Sequence, residues 1–234
     1  MRQVSYILKK EFRAYFISPI AYIVISIFLL TTGWFFFTTF FLFDQANLRN
    51  FFALLPIMFS FVVPAITMRL FSEELNIGSY EILLTMPVTF PDVILGKFLA
   101  GVLFVGAMLI PTFAYPITVS FLGELDWGPV LGGYIGAILL GAAFSAIGLF
   151  ASSLTRNQIT AFIIGVAICF SLTLLDKMLF FLPHSLLGFF EYIGADFHFQ
   201  NISKGIIDTR DIFYFLSISF VGLYCTYMVM SEKN

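Results

Sequence analysis

Charged residues are scarce in this sequence. Asp, Glu, Lys and Arg make up 11% of its 234 residues and hydrophobic residues make up 60%, whereas soluble domains contain about 25% charged residues. The mean hydropathy of +0.98 is typical of chains that have lipid as their solvent. The net charge is −2 and no extended basic patch is present, which excludes nucleic acid as a partner.

Cysteine, histidine and the motifs of common enzymes are also rare or missing. The two cysteines, Cys169 and Cys225, lie inside apolar runs, where a thiol behaves as a small hydrophobic group. The two histidines, His184 and His198, lack the close His or Cys spacing of a metal site, so we expect them to form hydrogen bonds at the membrane interface. The sequence has no GxxxxGK[ST], HExxH or GxSxG motif and predicts no enzyme, metal or cofactor in this chain.

Long apolar runs are abundant. A membrane-spanning helix needs about 20 apolar residues, and six such spans are predicted at 19–43, 51–68, 98–122, 129–154, 159–182 and 211–230. The first run is too long for a signal peptide and no cleavage pattern follows it, so we expect it to be retained. The sequence predicts an all-α integral membrane protein with six transmembrane helices in one domain, residues 1–234.

Small residues and prolines within the spans predict close packing and kinks. Gly133, Ala137, Gly141 and Ser145 recur every four residues in the fourth span, which lets a neighbouring helix approach closely. Kinks rather than breaks are predicted where prolines occur, because neighbouring helices can satisfy the freed carbonyl groups. These prolines are Pro56, Pro64, Pro111 and Pro116.

Residues 1–18 have the pattern of an amphipathic helix. Apolar residues, Phe12 among them, recur at spacings of three and four, and Lys9, Lys10 and Arg13 occupy other positions around the helix. The pattern predicts an interfacial helix in contact with membrane lipids. The alternative is an ordinary polar leader. A break is predicted between this helix and the first span.

The distribution of basic residues predicts the orientation in the membrane. Cytoplasmic segments of membrane proteins are enriched in Lys and Arg. With the N-terminus inside, the two short outer loops contain only Arg49, and the inner segments contain Arg2, Lys9, Lys10, Arg13, Arg69, Lys97 and Arg156. We therefore expect both termini in the cytoplasm and residues 183–210 on the outer side.

Two adjacent charges lie late in the fifth predicted span. Asp176 and Lys177 would be costly within a membrane unless they are paired, hydrated or near the interface. Together with His184 and His198 they are candidates for a transport pathway or an outer gate. The alternative is structural, because the uncharged residues 159–175 place the pair near the outer boundary, where snorkelling or a salt bridge satisfies it.

The inner connection between the second and third predicted spans, residues 69–97, is patterned. Ser72 can cap a short helix that carries Glu73 and Glu74 in its first turn, where carboxylates suit the helix dipole. Gly78 can end that helix. A second short helix is predicted after it, before the chain enters the third span.

This connection reads RLFSEELNIGSYEILLTMPVTFPDVILGK, an acidic patch followed by Gly, Glu, Leu and Pro. It resembles the connection between the second and third spans of ABC-2-type permeases. The resemblance implies a coupling helix that docks into a groove of a cytoplasmic ABC ATPase subunit, and that subunit would bind ATP and Mg²⁺. The contact residues it implies are Glu73, Glu74, Gly78, Glu81, Leu84 and Pro87. The alternative is a solvated acidic loop without a partner.

Two further stretches, KKEFRAYFISPIAYIVISIFLLTTGWFF and FHFQNISKGIIDTRDIFYFLS, resemble the permeases associated with bacterial gliding motility, in the broader NosY-like group. This resemblance implies an exporter of the bacterial inner membrane that works by alternating access, in gliding motility or cell-envelope export. It also implies a second permease copy or a paralogous permease, an accessory membrane protein with an extracytoplasmic domain, and short re-entrant helices before the sixth span. The alternative is a membrane scaffold that transports nothing.

Overall fold

The chain, described by a computed structural model, is built from α-helices. The structure describes residues 2–43, 47–78, 89–175, 177, 192–206 and 208–232, and these residues contain no β-strand. The helices are α1 (Arg2–Ile17), α2 (Pro19–Phe43), α3 (Arg49–Thr67), α4 (Arg69–Ile77), α5 (Phe90–Leu109), α6 (Ala114–Leu122), α7 (Trp127–Leu154), α8 (Gln158–Leu174), α9 (Ala195–Ser203) and α10 (Thr209–Glu232). A turn of 3-10 helix, Ile110–Phe113, joins α5 to α6.

Five segments of the described residues are long and apolar enough to cross a membrane, and they are Pro19–Thr38, Arg49–Ile77, Phe90–Leu122, Trp127–Leu154 and Thr209–Glu232. The helix of the fifth predicted span, α8, is apolar but shorter, with 17 residues. The end of that predicted span lies outside the described residues. The prediction of an all-helical membrane protein is confirmed, with five spans identified by length and composition.

Helix α7 is the centre of the bundle and packs against α3, α5, α8, α9 and α10. Its glycines let these neighbours approach closely. A Cβ atom on Gly133 would lie 2.4 Å from the ring of Phe52, and one on Gly141 would lie 2.6 Å from Cγ1 of Val105. The close packing predicted from the small residues of the fourth span is therefore confirmed.

Helices α2 and α10 lie at the periphery. Only 22% of the span residues of each are buried, against 72% for α7. Large apolar side chains such as Trp34 and Phe220 are exposed on them. The described residues of this chain leave these apolar surfaces uncovered.

The four prolines have different effects on their helices. Helix α3 continues through Pro56 and Pro64, and α6 contains Pro116. Pro111 lies in the 3-10 turn between α5 and α6, where the helix changes type because proline cannot donate the regular hydrogen bond. The change of helix type within the third predicted span therefore coincides with Pro111.

The short helix of the inner connection begins earlier than predicted. Helix α4 starts at Arg69, so Ser72 lies within it and donates a hydrogen bond from Oγ to the carbonyl of Met68. The prediction that Ser72 caps this helix, with two glutamates in the first turn, is wrong. The predicted end at Gly78 is confirmed, since this glycine has φ of 76°, in the left-handed region that favours glycine.

Helix α5 also begins before the predicted third span. Thr89 is its N-cap residue and Phe90 its first residue, so residues 90–97 of the predicted connection are helical. Thr89 donates from Oγ1 to Oδ2 of Asp92 at 2.6 Å. Residues 79–88, where a second short helix was predicted, lie outside the described residues.

Helix α1 ends at Ile17, one residue before α2, so the predicted break is confirmed. Its apolar side packs against the protein, mainly against α5. Tyr15 is buried there in a cluster with Phe104, and Phe12 packs against the same cluster. The closest approach is at Gly96, where a Cβ atom would lie 2.7 Å from Cγ2 of Ile7.

The bundle has two ends, which we name by their short helices. The α1 end contains α1, α4 and the start of α5. The α9 end contains α9 and the start of α10. Met230, near the end of α10, belongs to the same buried cluster as Tyr15, so α10 ends at the α1 end of the bundle.

Candidate functional site

A buried lysine joins three helices at the α1 end. Lys97 of α5 is 1% exposed. Its ammonium group donates to the carbonyl of Leu70 at 2.7 Å, to Oε1 of Glu74 at 2.8 Å and to Oε1 of Glu11 at 3.2 Å. An ammonium group has three donors, and here each has an acceptor. Helices α1, α4 and α5 therefore meet at one point.

The charges around this lysine balance. Lys10, which is 67% exposed, lies 3.5 Å from Glu11 and 3.9 Å from Glu74, so two cations face two carboxylates. An isolated ammonium group would be strongly disfavoured in a buried position, whereas a paired and hydrogen-bonded one is tolerated. We call Lys10, Glu11, Glu74 and Lys97 the Lys97 cluster.

A serine of the central helix fixes the junction between α3 and α4. The Oγ atom of Ser152 accepts the backbone N–H groups of Phe71 and Ser72, each at 3.0 Å, and donates to the carbonyl of Met68 at 2.7 Å. The first N–H groups of a helix have no acceptor within that helix. Ser152 supplies one from α7, which is why no residue of α4 itself has to act as the cap.

We expect Ser152→Ala to destabilise the chain by about 1–3 kcal/mol, because two buried N–H groups lose their acceptor. The matched control is Ser219→Ala in α10, since Ser219 is also buried but donates only to the carbonyl of Phe215 in its own helix. Thermal unfolding of both purified variants in mild detergent measures the difference. Equal melting temperatures for the two variants would contradict the capping role.

Tyr15 adds a second attachment of α1. Its hydroxyl donates to the carbonyl of Ile66 at 3.3 Å, and the guanidinium carbon of Arg69 lies 4.9 Å from the centre of its ring. Burial raises the pKa of Tyr15, and the nearby positive charge of Arg69 lowers it by less. The phenol therefore stays neutral and acts as a donor.

The structure separates the two adjacent glutamates of the inner connection. Glu73 is exposed on α4, whereas Glu74 is part of the Lys97 cluster. Between α1 and α4 runs a groove of about 370 Å³, lined by both glutamates and by Lys10 and Arg69. Gly78 ends α4. Of the other predicted contact residues, Glu81, Leu84 and Pro87 lie outside the described residues.

The predicted interfacial residues of α1 lie on two sides of the helix. Lys9, Lys10 and Arg13 are exposed, and Phe12 packs towards α5. The sequence predicted these positions as one amphipathic pattern, and the structure shows that its apolar side is covered by protein.

Lys177 forms a salt bridge at the α9 end. Its ammonium group lies 2.8 Å from Oδ2 of Asp196 on α9, which is fully buried. Gln200 donates to the same oxygen at 2.9 Å. A salt bridge was one of the structural alternatives predicted for Lys177, and it is present. Its neighbour Asp176 and the predicted gate residue His184 lie outside the described residues.

His198 of α9 is buried and hydrogen-bonded through both ring nitrogens. Nδ1 lies 2.6 Å from Oδ1 of Asp211 on α10, and Nε2 lies 2.9 Å from the carbonyl of Tyr192. The ring stacks on Tyr214 with centres 4.0 Å apart. A carbonyl only accepts, so Nε2 carries a proton, and His198 joins the short helix α9 to the last span.

No three His, Cys, Asp or Glu side chains of the described ranges lie close enough to hold a metal ion. His198 has both nitrogens engaged with Asp211 and Tyr192, which accounts for it without a metal. What the described residues bring together at each end is a buried ionic group that ties helices to one another.

Sequence reasoning missed most members of these two groups. It counted Lys97 only as a basic residue of an inner segment and gave no role to Glu11, Ser152, Asp196 or Asp211. The available signal in the sequence was a charge flanked by apolar residues at helical spacing, since Ile94 and Ala100 lie three residues on either side of Lys97. In the structure both are buried. Such a charge predicts a partner, but the partner itself is not encoded nearby.

Among the described residues, five segments of membrane-spanning length, one of them the glycine-containing central helix α7, define a multi-pass membrane protein. The chain belongs to the ABC-2 family of transporter proteins, because the model of that family, described as ABC-2 family transporter protein, matches residues 5–218. The family provides membrane components of transporters and typically works with an ABC ATPase. Among curated proteins, no sequence matches the chain.

Proposed function

We propose that this chain is the permease subunit of an ATP-driven transporter and that α4 receives the movement of a separate ABC ATPase subunit. The observation that supports the proposal is that two adjacent glutamates of α4 have different surroundings. Glu73 faces outward, where a partner can reach it, and Glu74 is tied to Lys97 on the inner side.

The contacts of α4 give a route for movement into the membrane. The Lys97 cluster links α4 to α1 and to α5, which continues into the third span. Ser152 links the start of α4 to the central helix α7. A push on α4 therefore acts on three membrane-adjoining helices as one unit, the kind of rigid-body shift that alternating access requires.

The finer parts of the proposal extend beyond α4. The fifth predicted span, 159–182, completes the six crossings, supported by the pairing of Lys177 with Asp196 at the opposite end from the start of α8. The α1 end is cytoplasmic, supported by its basic residues and by the presence of Tyr15 and Met230 in one buried cluster. A second permease copy or a paralogue completes an exporter of the bacterial inner membrane, with a role in gliding motility or envelope export.

Reversing the charge of Glu73 tests the docking role. We expect Glu73→Lys to reduce the amount of ABC ATPase that co-purifies with the tagged chain by about tenfold, which corresponds to a loss of about 1.4 kcal/mol in binding. Quantitative mass spectrometry of the complex in mild detergent measures this. The melting temperature should stay unchanged, because Glu73 is exposed and substitutions of surface residues usually alter the free energy of unfolding by less than about 0.5 kcal/mol.

The matched control is Glu124→Lys, a reversal at an exposed carboxylate at the other end of the bundle. We expect this variant to retain the ATPase in full. Loss of the ATPase with both variants, or with neither, contradicts docking at α4. Recovery of no ATPase with the unmodified chain contradicts the transporter proposal itself.

A further inference from the structure

One side of α1 is left uncovered by the described residues. Tyr6, Lys9 or Lys10, Arg13 and Ile17 are three or four residues apart, and Lys9 and Lys10 are adjacent, so the five residues form a single broad stripe along the helix. All five are exposed, with Tyr6 at 74% and Ile17 at 72%. We call these five residues the basic stripe.

The basic stripe is positively charged along its middle. Among the described residues, neither Lys9 nor Arg13 lies within ion-pair distance of a carboxylate. Glu11, the acidic residue of α1, binds Lys97 and lies 3.5 Å from Lys10, but it is not within ion-pair distance of Lys9 or Arg13. Lys10 borders the Lys97 cluster and is partly neutralised by it. The stripe therefore presents two cations without local compensation and a third that is shared.

The position of the stripe places it at a membrane surface. Helix α1 ends one residue before the spanning helix α2 begins. On α2, the side chains of Ile20, Ile23 and Ile27 are also exposed, so apolar side chains are uncovered on both sides of the junction. The stripe thus runs from Ile17, next to the start of the spanning helix α2, to Tyr6 near the start of α1. Tyrosine favours the headgroup level of a bilayer.

We propose that the basic stripe binds the phosphate groups of anionic lipid headgroups. Lys9 and Arg13 contact the phosphates, Lys10 adds to the local positive potential, and Tyr6 and Ile17 insert their apolar parts at the boundary of the hydrocarbon. The arrangement of cations between two exposed apolar side chains matches the boundary between headgroups and acyl chains. An acidic protein surface would complement the cations but would leave Tyr6 and Ile17 without a counterpart.

The proposal does not depend on the ATPase, and it moves the lipid contact expected from the apolar side of α1 to its charged side. The apolar side of the helix holds the protein together, and the charged side selects the lipid. Each basic residue near an anionic surface contributes about a fivefold gain in affinity. This attraction falls at high salt because exposed charges are screened.

The test compares two double variants of the full chain. Lys9→Gln with Arg13→Gln removes the two uncompensated cations and leaves Lys10 in place. Lys204→Gln with Arg210→Gln removes two exposed basic residues at the α9 end and serves as the control. Each protein is reconstituted in nanodiscs containing phosphatidylglycerol and phosphatidylcholine, and electron spin resonance of spin-labelled lipids measures which lipid is enriched next to the protein.

We expect the unmodified chain and the control to enrich phosphatidylglycerol by about fivefold or more at ~50 mM salt, and less at ~500 mM salt. The Lys9 and Arg13 double variant should lose most of this enrichment while its melting temperature is unchanged. Equal enrichment in all three proteins overturns the proposal. Unchanged enrichment combined with loss of a co-purifying ATPase also overturns it, and identifies the stripe as a protein-docking surface.

Discussion

Lys97→Met is expected to destabilise the chain by about 3 kcal/mol, at the lower end of the 3–5 kcal/mol that breaking a buried ion pair costs. The variant leaves Glu11 and Glu74 facing each other, and among the described residues Lys10, at 3.5 and 3.9 Å, is the cation that remains within ion-pair distance of them. For a chain of this size the loss corresponds to a fall of roughly 6–12 °C in Tm. Thermal unfolding of the purified protein in mild detergent measures it.

Two further proteins make this prediction specific. Lys9→Met removes an exposed lysine of the neighbouring helix and should change stability by less than about 0.5 kcal/mol. Lys97→Met combined with Glu11→Gln and Glu74→Gln removes the unpaired charges as well and should regain at least half of the loss, since an uncharged replacement of a whole buried group is often tolerated. A combined variant that is no more stable than Lys97→Met, or a Lys9→Met as damaging as Lys97→Met, disproves the ionic explanation.

Gly148→Ala is the second change for which we expect a large effect, a loss of about 2–3 kcal/mol from overpacking. The added methyl group would lie 2.0 Å from Oγ1 of Thr67 on α3 and 3.0 Å from its Cβ. Thr67 is buried and its hydroxyl donates to the carbonyl of Val63 at 2.9 Å. Threonine in a helix can adopt a second rotamer, but its Cβ atom is fixed to the backbone and would still lie 3.0 Å from the added methyl group, so α3 must move away from α7.

The same bundle offers a glycine with space around it. A Cβ atom on Gly106 of α5 would meet no atom within 4 Å, so Gly106→Ala should leave Tm unchanged or stabilise the chain by about 0.5–1 kcal/mol. Shortening the side chain of Thr67 should recover part of the lost stability, so Gly148→Ala combined with Thr67→Ala should be more stable than Gly148→Ala alone. If Gly106→Ala and Gly148→Ala lower Tm equally, close packing of α7 on α3 is not the cause.

The spans could be predicted from the sequence because hydropathy acts over 20 neighbouring residues and needs no knowledge of contacts. Local signals also located several helix ends. The break at Ser18 and the end of α4 at Gly78 both depend on the conformational preferences of the residues themselves. The cap of α4 failed as a prediction because its acceptor, Ser152, lies 80 residues from the N–H group of Ser72. No local pattern encodes such a partner.

The site could be predicted only in part for the same reason. Glu73 and Glu74 are adjacent and chemically equivalent, but successive residues of a helix point in directions about 100° apart. Which of them faces a partner depends on where Lys97 lies, and Lys97 is 23 residues further along the chain than Glu74. Likewise, the sequence offered His198 as a gate residue, whereas its role in the structure depends on Asp211 of another helix.

The order of residues in the Lys97 cluster has a consequence for biosynthesis. Every acceptor of Lys97 comes before it in the chain, namely Glu11, Leu70 and Glu74. The ribosome therefore makes all the oxygen atoms before it makes the ammonium group that binds them. No member of the cluster comes from the later half of the polypeptide, so the ammonium group of Lys97 has its hydrogen-bond acceptors already synthesised when it leaves the ribosome.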